Sequence, residues 1–266
     1  MDPRYELETL AVEDRHWWYR GRRRIVRDAV RALELPPRAE ILDAGCGSGR
    51  NLEELATLGQ VTGLEPSPAS LAAARARGIG QVVAGSVEAI PLPDQSFDLA
   101  TCLDVIEHVD DDRAALAELR RVIRPAGSLL VTVPAYPRLW SAHDEANRHR
   151  RRYTRATLLR AATDAGWRPL RMTYFNSLLL PAAVVYRALS RIQARQMQPT
   201  SDLERTPAWL DVVLEQPLRA EAALLRCGLR LPAGLSLLAL LGCADPPTRL
   251  GRGWAGRARA ESHTRR

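Results

Sequence analysis

Short apolar runs alternate with amphipathic stretches through the first half of the chain. The runs that predict buried strands lie at residues 39–44, 61–64, 82–84, 97–103 and 128–133. Apolar residues at helical spacing predict helices at residues 22–34, 50–58, 68–77 and 112–122. Strands that alternate with helices in this way form parallel βαβ units. We therefore expect an α/β fold with a doubly wound, mostly parallel sheet.

The pattern changes after Pro134. Residues 134–153 form a polar loop rich in aromatic residues and arginine, and Thr154 is placed to cap a helix that ends before Gly166. The remaining elements are predicted as a strand at 167–175, helices at 177–195 and 208–226, and a last strand at 234–241. The sheet should therefore have seven strands, with a helical insertion before the last one.

This pattern suggests one domain over residues 1–244. Its predicted parts are an N-terminal aromatic and helical lid (1–38), a ligand-binding core (39–176), a helical insertion (177–228) and the segment of the last strand (229–244). The basic tail, 245–266, is expected to be disordered.

Composition narrows the class of protein. The chain has 266 residues, of which 46% are hydrophobic and 26% charged, as in ordinary globular proteins. Its four cysteines are far apart and form no CxxC pair, so we expect neither a disulfide framework nor a metal site. The N-terminus lacks the apolar segment of a secretory signal, and no apolar run is long enough to span a bilayer. These features predict a cytoplasmic protein.

The net charge is +7, and every basic residue is arginine. Arginines cluster at residues 20–24 and 148–152. Such clusters bind phosphates, nucleic acid or an anionic membrane, or form a solvated basic surface. The charge alone leaves these partners open.

A glycine-rich turn carries the clearest functional information. Gly45, Gly47 and Gly49 lie between a predicted strand and a predicted helix, and the first of them follows Asp43 by two residues. Glu65 ends the next strand, where an acid binds ribose hydroxyls in nucleotide-binding α/β folds. Arg50 occupies the position where a dinucleotide fingerprint needs its third glycine, and without lysine the chain cannot form a P-loop.

The chain resembles the class I S-adenosylmethionine-dependent methyltransferases, of types 11 and 12, over about residues 16–176. The resemblance rests on Asp43–Gly49, Gly63–Ser67, Gly85–Pro93, Ser96–Ala100, Asp104–Val109 and Arg124–Gly127. The family's cofactor is S-adenosylmethionine, so the resemblance implies that this chain binds it.

The resemblance also implies roles for single residues. The methionyl part would lie at Asp43, Gly45, Cys46, Gly47 and Gly49, the ribose at Glu65 and Pro66, the adenine at Ser86 and Val87, and the methionine side at Leu103 and Asp104. Ser86 departs from the family, which often has aspartate there; a serine hydroxyl accepts the adenine hydrogen bond more weakly than a carboxylate. His108 is more often structural than catalytic in this motif.

The acceptor side should be formed by loops beyond the strands. In the loop 134–153, His143 can act as a general base with Asp144 orienting it, while Arg150–Arg152 can bind a phosphate or carboxylate. The alternative is a loop fixed by salt bridges, with Asp144 as a cap at the surface. The aromatic run 16–19 can cover a ligand or attach the following helix to the sheet.

The insertion has two interpretations as well. Its first helix is apolar and flanked by arginines, as in an interfacial membrane helix or a lid, but packing against residues 208–226 explains the pattern equally. The leading hypothesis is a methyltransferase acting on a small-molecule or lipid-linked acceptor, with peripheral contact to the anionic inner face of the cell membrane. The alternatives are an RNA methyltransferase, for which the chain lacks a nucleic-acid motif, and a non-catalytic S-adenosylmethionine-binding protein.

Overall fold

The computed structural model describes residues 3–193 and 207–243. The helices are Pro3–Val12 (α1), Trp17–Arg31 (α2), Arg50–Leu55 (α3), Pro68–Ala76 (α4), Asp112–Val122 (α5), Ala142–Ala146 (α6), Arg155–Asp164 (α7), Leu180–Gln193 (α8) and Ala208–Arg226 (α9). The strands are Ala39–Ala44 (β1), Gly59–Glu65 (β2), Gln81–Ala84 (β3), Phe97–Leu103 (β4), Ile123–Pro134 (β5), Arg168–Phe175 (β6) and Ser236–Gly242 (β7). The predicted tail at 245–266 lies outside the described residues.

The seven strands form one sheet in the order β3-β2-β1-β4-β5-β7-β6. The first five strands pair in parallel, and β7 is antiparallel to both β5 and β6. This confirms the predicted doubly wound, mostly parallel sheet. The strand order reverses direction between β1 and β4, and in open α/β sheets ligands bind at the carboxyl ends of strands at such a point.

Both faces of the sheet are covered, which explains the nearly continuous apolar runs of the central strands. On one face, Leu42 and Leu129 belong to a buried cluster with residues of α5 and α7. On the other, Ile41 and Leu130 pack in a cluster with residues of α2, α3 and α9. Neighbouring residues of each strand thus point to opposite layers.

The helical insertion extends one of these layers. The buried side of α9, with Leu218, packs on α2, and Gly21 lets the two helices approach closely: a Cβ at Gly21 would lie 2.3 Å from Leu218 Cδ1. In α8, by contrast, Val184, Val185 and Tyr186 remain exposed. In the part of the chain that the structure describes, no helix has the length and apolar character needed to cross a bilayer.

Several predicted boundaries were wrong for local reasons. Helix α2 begins at Trp17 rather than at residue 22, because the His16 side chain accepts the N–H of Trp18 at 3.3 Å and caps the helix. The last strand begins two residues later than predicted; at Gly234 the chain passes so close to Phe175 that a Cβ would lie 2.3 Å from its carbonyl oxygen.

Two helices were not predicted at all. Helix α1 has no regular apolar face; of its described side chains, Glu6 makes polar contacts and Val12 packs against Tyr19 and Ala146. Helix α6 interrupts the predicted loop 134–153; a capping box between Ser141 and Asp144 starts this short helix. Both helices lie beside the cavity at the carboxyl edge of the sheet.

Candidate active site

A cavity of about 1280 Å³ opens at the carboxyl ends of β1, β2 and β4. Of the residues that the sequence predicted for the site, the cavity wall includes Gly45, Cys46, Gly47, Glu65, Pro66, Ser86, Val87, Leu103, Asp104 and His143. Asp43, Gly49 and Asp144 lie behind this wall rather than in it. The structure therefore brings most of the predicted residues to one site.

The turn after β1 requires glycine. Gly45, Gly47 and Gly49 have φ values of +77°, +55° and +79°, a region that side chains disfavour. At Gly45 the requirement is also steric, because a Cβ would lie 2.5 Å from Val105 Cγ2. The Gly45 N–H donates to the Leu64 carbonyl at 2.8 Å, so the turn is held against the end of β2.

Glu65 is fixed by backbone donors from two loops. Its Oε2 accepts the Gly47 N–H at 2.8 Å, and its Oε1 accepts the Ser67 N–H at 2.9 Å. Burial raises the pKa of Glu65, while these two hydrogen bonds oppose that effect. Each carboxylate oxygen keeps a second lone pair. The group is therefore oriented and can still accept two hydroxyl groups from a ligand.

Asp43 is a buried carboxylate that is only partly satisfied. The Thr101 hydroxyl donates to its Oδ1 at 2.6 Å, but its Oδ2 has no hydrogen-bond partner within the described residues. Burial raises the pKa of Asp43 to about 6, although Thr101 and Arg22 act in the opposite direction. An unpaired buried oxygen of this kind favours a cation nearby.

Arg22 was not singled out from its arginine cluster, yet it enters the site from α2. It pairs with the Asp104 carboxylate, whose other oxygen accepts the Thr132 hydroxyl at 3.1 Å. Burial disfavours the charged guanidinium, but Asp104 outweighs this effect and raises the pKa of Arg22. The helical pattern alone could not show which arginine of the cluster faces inward.

The other arginines of the two clusters are largely used within the protein. Arg20 pairs with Glu215 at 2.6 Å, and Arg23 donates to the Glu13 carbonyl at 2.8 Å. In the second cluster, Arg152 is buried and Arg151 donates to two backbone carbonyls. Because these groups already bind protein acceptors, neither cluster forms a continuous basic surface.

The predicted pairing of His143 with Asp144 is wrong. The Asp144 carboxylate is fully buried and bonds to His149 Nδ1 at 2.9 Å, Arg152 Nε at 2.7 Å and the Ser141 N–H at 2.8 Å. It thus fixes the loop and caps α6, as the alternative interpretation held, but it does so from a buried position and not from the surface. His143 lines the cavity, and its Nε2 lies 3.2 Å from Asn147 Nδ2.

The loop also brings His149 against the Asp104–Val109 motif. The rings of His108 and His149 are 4.7 Å apart between centroids. Burial, together with His149, lowers the pKa of His108 to about 4. Beside them lies Glu107, whose carboxylate is fully buried. Sequence spacing placed His108 and Glu107 on one motif, but nothing in the sequence indicated that His149 would meet them.

The N-terminal segment closes one side of the cavity. Glu6 of α1 accepts hydrogen bonds from the hydroxyls of Ser67 and Ser70, and Arg77 bonds to Glu13 at 3.0 Å. Glu13 also accepts a hydrogen bond from the Ser48 hydroxyl in the turn after β1. These contacts attach the segment to the turn after β1 and to the loop and helix after β2.

The aromatic run joins α2 to the sheet. Trp18 stacks on the buried Phe175 of β6, with ring centroids 5.8 Å apart and an interplanar angle of 4°. His16, Trp17, Trp18 and Tyr19 all line the cavity as well. The run therefore attaches α2 to the sheet, as one interpretation held, and its cover over a ligand stays a prediction.

Comparison with known proteins agrees with this geometry. Residues 42–131 match a protein family described as a methyltransferase domain. The chain is 32% identical over 169 residues to a malonyl-[acyl-carrier protein] O-methyltransferase of Serratia marcescens, covering 60% of this chain and 66% of that protein. It is 36% identical over 101 residues to a ubiquinone biosynthesis O-methyltransferase of Xanthomonas oryzae pv. oryzae, covering 35% of this chain and 42% of that protein. The chain thus spans less than two thirds of either relative.

A solved structure shows the same fold over nearly the whole chain. It is a complex between the Haloferax volcanii Trm112 methyltransferase activator and a methyltransferase. One chain of that complex superposes with a TM-score of 0.60 and 19% identity, covering 90% of this chain and 94% of its own length.

The raised pKa of Asp43 predicts a pH dependence of stability. The carboxyl has a pKa of about 6 in the folded protein against an ordinary 3.8, so its protonated form favours folding. That contribution is complete below about pH 4 and is lost as the pH rises through 6. Asp43→Asn cannot titrate there, so between pH 4 and 7 the wild type should lose on the order of 3 kcal/mol relative to the variant. Urea unfolding at both pH values measures this, and parallel pH profiles would contradict it.

Proposed function

Since the chain carries a methyltransferase domain of the class I S-adenosylmethionine-dependent family, we propose that it methylates a small-molecule acceptor bound in the cavity beside the cofactor. When bound, S-adenosylmethionine would supply a methyl group whose bond to the sulfonium sulfur breaks as the acceptor bonds to the methyl carbon, with the neutral thioether as the leaving group. Such a displacement mainly requires exclusion of water and alignment of the nucleophile with the methyl carbon.

The cofactor end of the cavity fits a nucleoside that carries a cationic amino acid. Glu65 is oriented to accept two ribose hydroxyls, and the strained turn Gly45–Gly49 leaves open space at Gly47, where a Cβ would meet nothing within 4 Å. The unpaired Oδ2 of Asp43 favours a positive charge near this turn. We propose that Leu103 and Asp104 contact the methionine part of the cofactor and that Ser86 and Val87 contact its adenine.

The observation that carries the proposal is the extent of this one cavity. At about 1280 Å³ it exceeds the roughly 300–1,000 Å³ of most ligand pockets. It runs from Glu65 at one end to His143 and Arg150 at the other. A continuous space of this size has room for a second molecule beside the cofactor, which a protein that only binds S-adenosylmethionine would not need.

The acceptor end combines polar and apolar walls. His143 and Arg150 come from the loop after β5, while Leu179, Ala183 and Tyr186 come from the start of the helical insertion. These walls suit an acceptor with an anionic or hydroxyl head and an apolar body. The names of the two relatives, which describe O-methyltransferases of an acyl carrier protein and of ubiquinone biosynthesis, support an oxygen acceptor. We assign His143 the role of general base.

The assignment of Glu65 predicts a loss of cofactor affinity. Glu65→Ala removes hydrogen bonds to a charged acceptor, each worth about 1.5–3 kcal/mol, so S-adenosylmethionine should bind roughly ten- to a hundredfold more weakly. Calorimetric titration measures this, with Glu88→Ala as a matched control because Glu88 is an exposed carboxylate on the same cavity wall. Equal affinities for wild type and Glu65→Ala would remove the cofactor assignment.

Methyl transfer itself is tested with a tritiated methyl group on S-adenosylmethionine and fractionated cell extract. We expect label in the small-molecule or lipid fraction and none in RNA. If His143 is the base, His143→Gln should lower kcat about a hundredfold or more while leaving cofactor affinity unchanged. Label in RNA alone would overturn the acceptor class, and full activity of His143→Gln would overturn the base.

We further propose that the acceptor is met at an anionic membrane surface. Val184, Val185 and Tyr186 are exposed on α8, and Trp209 is exposed on α9, beside the acceptor end. Of the second arginine cluster only Arg148 and Arg150 are exposed. The electrostatic attraction, about 1 kcal/mol per arginine near the surface, should therefore come from at most two groups rather than four, and one of these, Arg150, also pairs with Asp110 at 3.2 Å.

Vesicle sedimentation tests this membrane contact. The protein should bind phosphatidylglycerol vesicles better than phosphatidylcholine vesicles, less at high salt, and less when Val185→Asp places a charge on α8. Leu229→Asp is the control, since Leu229 is similarly exposed but lies outside α8 and α9. Equal binding by Val185→Asp and wild type, or none by either, would refute the contact.

A further inference from the structure

We propose that Glu107, His108 and His149 bind one divalent transition-metal cation at the acceptor end of the cavity. One ligand atom from each residue lies within 4.8 Å of the other two, and all three residues line the cavity. Our sequence prediction of no metal site rested on cysteine spacing, which does not bear on a cluster of this kind. Because His108 and His149 are far apart in the sequence, their spacing did not indicate a shared site.

The Glu107 carboxylate is the strongest indication of a ligand. Its side chain is fully buried, yet neither Oε1 nor Oε2 has a hydrogen-bond partner within the described residues. A buried polar group without a partner is costly, and a buried carboxylate more so. The carboxylate also lines the cavity, so a bound cation could satisfy both oxygens.

The His149 imidazole is oriented from behind. Its Nδ1 bonds at 2.9 Å to Asp144, which Arg152 and the Ser141 N–H hold in place. The His108 ring packs edge-on against the His149 ring, with centroids 4.7 Å apart. One nitrogen of His149 is therefore engaged by Asp144, and its other nitrogen is left for the cluster. Histidines that bind metals in proteins are fixed in the same way, by a carboxylate or a carbonyl on the second nitrogen.

The donor set selects the kind of ion. Two imidazole nitrogens and one carboxylate suit zinc, iron and related ions, whereas magnesium prefers oxygen ligands alone. Three protein ligands also leave coordination positions open, as in metal sites that bind substrates. Those positions would face the cavity near His143 and Arg150. If the proposed function holds, the open positions would bind an oxygen of the acceptor. Binding of the ion itself does not depend on that function.

The test begins with the full chain, free of affinity tags and treated with a chelator. Calorimetric titration with Zn²⁺ should show one site per chain, and Co²⁺ should give the visible absorption of a protein-bound ion. Glu107→Gln and His149→Gln should each weaken Zn²⁺ binding at least about a hundredfold, since loss of a ligand exceeds the roughly 10- to 100-fold effect of losing an outer partner. Mg²⁺ should not compete.

The matched control is His143→Gln, which changes a nearby cavity histidine outside the cluster and should leave Zn²⁺ affinity unchanged. Cys227 is an exposed thiol, so every variant is also measured with Cys227→Ser. Absence of a stoichiometric site, equal affinities for Glu107→Gln and wild type, or loss of binding with Cys227→Ser alone would overturn the proposal.

Melting curves confirm that each variant folds, and cofactor titration separates the two hypotheses. Glu107→Gln should lose Zn²⁺ but keep its affinity for S-adenosylmethionine. If the protein binds Zn²⁺ as expected and transfers no methyl group, the proposed function fails and the metal site stands. If the titration shows no stoichiometric Zn²⁺ site and methyl transfer still proceeds, the metal site fails and the function stands.

Discussion

Carboxylates gather at the carboxyl edge of the parallel sheet, and three of them, Asp43, Glu65 and Glu107, are buried. Asp43 and Glu65 belong to β1 and β2, and Asp104 and Glu107 follow β4. Because burial penalises each negative charge, this arrangement needs partners that are cationic or that donate hydrogen bonds. Arg22, Thr101 and backbone N–H groups supply part of this requirement, and the oxygens left unpaired belong to Asp43 and Glu107. These two positions are where the structure favours a positively charged ligand.

The surrounding elements keep this edge enclosed. Helix α1 and the segment after it attach through Glu6 and Glu13 to the loops that follow β1 and β2. Trp18 stacks on Phe175 and holds α2, from which Arg22 reaches Asp104. On the acceptor side, Asp144 organises its loop by binding His149 and Arg152. The ligand space is thus closed by polar contacts to the same loops that would contact the cofactor.

The sequence was sufficient for the fold and for the cofactor end because both depend on local patterns. Short stretches of sequence are enough to recognise the alternation of strands and helices, the glycine turn and the acid at the end of β2. The acceptor end depends on contacts between distant residues, such as Asp144 with Arg152 and His108 with His149. Adjacent residues suggested that Asp144 orients His143, but the helical turn of α6 directs Asp144 inward and leaves His143 at the cavity wall. Likewise, α1 is attached by polar side chains, so apolar periodicity could not predict it.

The central claim is that this carboxylate-rich edge is a site for S-adenosylmethionine with room for an acceptor beside it. A crystal structure of the protein with S-adenosylmethionine bound tests it most directly. The account predicts both ribose hydroxyls within hydrogen-bond distance of Glu65, about 2.5–3.0 Å, with the cationic end near the Gly45–Gly49 turn and the methyl group facing the space next to His143. A ligand bound outside this cavity, or one whose ribose leaves Glu65 bonded only to Gly47 and Ser67, would contradict it.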